Sequence, residues 1–109
     1  MEMIKICEGI KISNKVFTKT WRELEKFFGV SITQIGTVYE EKTKTIDDQE
    51  SLLLILVNQD NNLTKEEMLK LIDDDEDKNV SLFSCLAQAI SIFPAGNQSE
   101  GKNSGNLKK

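Results

Sequence analysis

The chain has 109 residues, 39% of them apolar and 29% charged, proportions that fit one folded domain with a modest core. It carries 18 acidic against 14 basic residues, a net charge of −4, which disfavours a nucleic-acid phosphate backbone as partner because that needs clustered Lys and Arg. Histidine is absent, which removes the commonest general base and metal ligand.

Cys7 and Cys85 form no CxxC pair and read as reduced thiols of a cytosolic protein, with no support for a disulfide between them. The N-terminus has no apolar stretch behind a basic start, so no secretion signal is expected. The longest purely apolar run, Leu52 to Val57, is too short to span a bilayer. A cytoplasmic protein without a membrane partner is the expectation.

Ile4, Ile6, Ile10 and Ile12 share even spacing, as one face of a strand would, and Asn14-Lys15 can make a tight turn into a short return strand at Val16-Phe17. An N-terminal β-hairpin over about residues 4–17 is predicted; two strands alone are marginal and must lean on helices. Thr20-Trp-Arg-Glu23 has capping-box spacing, Trp21, Leu24, Phe27 and Phe28 make a helical apolar stripe, and Gly29 is a natural stop. These aromatics read as core. A stacking platform for bases is the alternative, which their mixed flanking charge disfavours.

Ser31-Ile-Thr-Gln34 is a further capping signal, ahead of a short helix with Ile32, Ile35, Val38 and Tyr39. The charged stretch Glu40 to Thr45 should end it. Asp47 or Asp48 can cap the next element, which holds Leu52 to Val57. Periodicity cannot separate helix from buried strand in so short a run, but the leucine excess and acidic start favour helix. Asn58 to Asn62 reads as a polar turn.

From Leu63 to Phe93 the pattern is strongest. Thr64 and Glu67 form a capping box, with Met68, Leu71 and Ile72 on one helical face. A final helix is predicted to start near Asp77 or Asn79 and to stop before Pro94, which lacks the amide to continue. Leu82, Phe83, Leu86, Ala87, Ala89, Ile90, Ile92 and Phe93 make it apolar on more than one side, the mark of a helix buried in its own chain or against another. After Pro94 the composition turns polar, with one leucine and one alanine as its apolar side chains, and predicts a disordered tail over 94–109. The expected fold is mainly α with a small N-terminal β-hairpin, a compact bundle of about four to five short helices in one domain over 1–93.

No stretch carries a catalytic signature. Asp73, Asp75, Asp77 and Asn79 alternate like calcium-loop ligands, but Lys78 stands where such a loop needs glycine and Ser84 where it needs glutamate. The cysteines have no histidine to activate them, and the glycines at 96, 101 and 105 have no strand before them or helix after, so no phosphate loop is expected. No catalytic residue, metal or cofactor is assigned, and the chain is read as a binder.

The order of these elements resembles the tail assembly chaperones of long-tailed bacteriophages and prophages of Gram-positive bacteria. The features that carry the likeness are the hairpin from Ile10 to Phe17, then Trp-Arg-Glu-Leu-Glu-Lys-Phe-Phe-Gly followed by Val-Ser-Ile. Leu-Thr-Lys-Glu-Glu-Met-Leu-Lys-Leu-Ile comes next, then a loop, a closing helix with Leu-Ala-Gln-Ala-Ile, and a polar tail. The likeness covers roughly residues 10–100; the acidic loop is its least typical part. It implies a small, mostly helical, self-associating protein that binds the tape measure protein and is absent from the finished virion. It also implies a longer frameshifted product, whose added domain engages tail tube subunits, with this chain as the shorter product. Leu82, Phe83, Leu86, Ile90 and Phe93 are the expected source of a partner-binding groove; the plainer reading is that they fill the chain's own core. The alternative function is a small adaptor or regulator encoded by a mobile element. A helix-turn-helix over residues 64–93 ranks low, because its acidic turn would face phosphates.

Overall fold

The structure, a computed structural model, describes residues 2–94. The described chain is a two-stranded antiparallel hairpin followed by five α-helices, the mainly helical fold that the periodicity predicts. The polar segment 95–109, read from composition as a tail, lies outside the described residues.

Strands β1 (Met3–Cys7) and β2 (Ile10–Ser13) pair Ile4 with Ile12 and Lys5 with Lys11. The turn is therefore Glu8-Gly9, not Asn14-Lys15, and Val16-Phe17 lies outside the hairpin. The evenly spaced isoleucines belong to two strands rather than one. Tertiary contact explains the choice: a Cβ on Gly9 would come within 3.0 Å of Leu71 Cδ2, so glycine lets the turn lie close against that side chain. The register shifts between Lys5 and Cys7, a bulge that lets the consecutive Ile6 and Cys7 both turn inward.

Helix α1 (Thr18–Phe28) begins two residues ahead of Thr20, and the Thr20–Glu23 capping box does not form. Thr20 is buried in the first turn instead, and the Phe17 carbonyl accepts from the amides of Thr20 and Trp21. Leu24 and Phe28 enter the core, and Gly29 ends the helix at φ 75°, donating to the Glu25 carbonyl. The Ser31 signal yields a 3-10 turn over Ile32–Gln34 that runs into α2 (Ile35–Lys42). Its cap is borrowed: Glu25 of α1 accepts from the Ile32 amide at 3.1 Å, where Ser31 was expected to serve.

Helix α3 (Ile46–Val57) includes the whole Leu52 to Val57 run. Thr45, not Asp47 or Asp48, caps it by accepting from the Asp48 amide at 3.0 Å, and the two aspartates occupy the first turn, where they complement the helix dipole. Leu52, Leu53, Leu56 and Val57 are fully buried, and α3 touches α1, β2 and the two later helices. It is the post around which the core is built.

Helix α4 (Lys65–Asp73) has the expected capping box from Thr64 and Glu67, and buries Met68 and Ile72. Helix α5 (Leu82–Ile90) starts later than Asp77 or Asn79. Those two residues are used up in a tight loop, where Asp77 accepts from the Asn79 amide at 2.9 Å, and Ser81 and Ser84 make the capping box. The chain then leaves α5 by successive turns at Ser91, Ile92 and Phe93 before Pro94.

Candidate docking surface

Helix α5 wedges Cys85, Leu86 and Ala89 between α3 and β1. The Cys85 thiol is fully buried and donates to the Ile6 carbonyl at 3.5 Å. Burial, with the neighbouring Cys7 second, pushes its pKa up to about 11, and burial likewise raises that of Cys7. Both thiols therefore stay protonated near neutral pH and act as packing groups.

The five residues expected to line a groove divide sharply. Leu86 is buried, and Phe93 is 9% exposed with its ring 5.6 Å from that of Trp21 on α1. Leu82 and Ile90 are half-buried against the core. Phe83 is 60% exposed, the most exposed large apolar side chain among the described residues. The five do not share one exposure, because α5 packs against α3 and β1 and buries Leu86 while Phe83 lies on its outer side. The outward side of α5 carries Phe83 and Ala87, with the half-buried Ile90 on one side of them and the exposed polar Ser84 and Gln88 on the other.

The acidic loop ahead of α5 is ordered by its own carboxylates. Asp75 accepts from the Asp77 amide at 2.8 Å and from the Glu8 amide of the hairpin turn at 2.7 Å. These two amides, in that order, hold the Asp75 carboxyl below the usual range. Beside this contact, hairpin turn and loop together line a cleft of about 740 Å3 that also takes in Lys5, Ile6, Leu71 and Val80. Among the described residues no group of three or more Cys, Asp or Glu is placed to hold a metal ion.

A second polar device escaped the sequence reading. The turn after α3 reaches back to clamp the hairpin and the segment that follows it: Asp60 accepts from both the amide and the hydroxyl of Ser13, Gln59 accepts from the Phe17 amide and donates to the Lys15 carbonyl, and Asn61 donates to the Lys11 carbonyl. The available signal was the unbroken Asn-Gln-Asp-Asn-Asn run, side chains suited to backbone hydrogen bonds. Composition alone marks only a polar turn there, because its partners lie more than forty residues away.

No helix among the described residues is long and apolar enough to cross a membrane. No protein-family model, curated protein or solved structure matches this chain.

Proposed function

We propose that the protein is a non-catalytic tail assembly chaperone of a long-tailed bacteriophage or prophage, which binds the tape measure protein and keeps it soluble in the host cytoplasm. The observation that carries this reading is Phe83, a large apolar ring left 60% exposed on a helix with no charged residue. A tape measure is a long helical polypeptide with apolar faces that aggregate before the tail tube surrounds them. A small acidic domain that lays an apolar stripe on such a face covers it and lends the complex charge. The buried, protonated thiols support a binding role over nucleophilic chemistry.

Co-expression with the tape measure protein of the same tail gene cluster tests this. The wild-type chain is expected to hold the tape measure in the soluble fraction, and Phe83→Asp, at an exposed site, to stay folded and lose that capacity. A tape measure that stays insoluble with the wild-type chain overturns the reading. An adaptor of another kind would bind a partner without rescuing the tape measure.

A further inference from the structure

We infer that the outward stripe of α5 receives a basic amphipathic helix, whose Lys or Arg residues lie against the acidic loop Asp73–Asp77. This rests on the docking reading above and adds the charge of the occupant. Phe83, Ala87 and Ile90 stand at i, i+4 and i+7, so they form a single stripe, with Phe83 and Ala87 exposed. Nothing charged interrupts it: from Asn79 to Pro94 the chain has no Asp, Glu, Lys or Arg.

The charge lies at one end. The Val80 amide donates to the Asp77 carbonyl at 2.9 Å, closing the turn that leads into the Ser81 cap, so the acidic loop sits directly ahead of the stripe. Among the described residues, the one ion pair of its five carboxylates is that of Asp74 with Lys70 at 3.0 Å. Asp75 and Asp77 are held in place by backbone amides, so this negative surface is preorganised. The cleft between hairpin turn and loop is lined by Leu71 and Val80 but also by Lys5, which pairs with Glu8 at 3.1 Å and faces Asp75 and Asp77, so the carboxylates left for an incoming Lys or Arg are Asp73 and Glu76. A helix with acidic flanks would set like charges together there. A second copy packed α5 on α5 would bring no cation, since that segment holds none.

Two peptides of about 20 residues test this, designed as helices with the same apolar stripe, one flanked by Lys and the other by Glu. Binding to the full chain is measured by fluorescence anisotropy at low and high salt. The Lys peptide is expected to bind about tenfold more tightly at low salt, with the gap closing at high salt. Asp73→Lys with Glu76→Lys, at side chains that make no hydrogen bond among the described residues, should close it too, and Phe83→Asp should abolish binding of both peptides. Equal affinities, or a preference for the Glu peptide, overturn the charge inference and leave apolar docking standing. If neither peptide binds, the docking surface itself is overturned.

Discussion

Asp60 grips Ser13 with both carboxylate oxygens, one on the backbone amide at 2.6 Å and the other on the side-chain hydroxyl at 2.8 Å. Through this pair the turn after α3 fixes the end of β2, and Ser13 is 4% exposed, so its donors have no easy access to water. Asp60→Ala is expected to destabilise the fold by about 1–3 kcal/mol, the cost of donors left unsatisfied next to a lost charged acceptor. Urea denaturation measures it. Asp60→Asn, which keeps one acceptor oxygen, should lose less.

Asp75 ties the acidic loop to the hairpin turn through the Glu8 amide, and its carboxyl is held below its unfolded value of 3.8. A group with a depressed folded pKa contributes fully above its unfolded value and ceases to contribute as pH falls through the folded one. Wild type should therefore lose stability relative to Asp75→Asn as pH drops below 3.8. Above that pH the difference should be constant. Thermal melts across the acid range check the sign.

Gly29 ends α1 at φ 75°, and among the described residues no atom beyond its chain neighbours lies within 4 Å of where a Cβ would stand. The cost of a side chain there is conformational and not steric crowding from neighbours. Gly29→Ala should cost about 1–2 kcal/mol, and Gly29→Asn less, since asparagine tolerates the left-handed region. Equal losses for the two variants in chemical denaturation would contradict this account.

Leu53 and Phe83 are opposite extremes of apolar exposure, 0% and 60%. Leu53→Ala should cost about 2–5 kcal/mol, the combined loss of transfer energy and the cavity left in the core. Phe83→Ser should stay within about 0.5 kcal/mol of wild type, as surface changes do. If Phe83→Ser proved as damaging as Leu53→Ala, the ring would be part of the core and not of a docking surface.

Local chemistry alone determined the helical majority, the box at Thr64 and Glu67 and the stop at Gly29, and it favoured helix for Leu52 to Val57 without separating helix from buried strand, which the structure decided. These depend on spacing within about one or two turns, which any window of the sequence contains. Tertiary structure decided which of several competing caps was used: Thr45 over Asp47, Ser81 over Asp77, and Phe17 ahead of Thr20. It also moved the hairpin turn to Glu8-Gly9, because Leu71 packs against that glycine and Asp75 binds the Glu8 amide. It separated Phe83 from Leu86 and Phe93, which share its composition but not its exposure. Hydrogen bonds and burial that join residues dozens of positions apart leave no trace in a local pattern, since the carboxylate that caps a turn and the one that clamps a distant strand are written with the same letter.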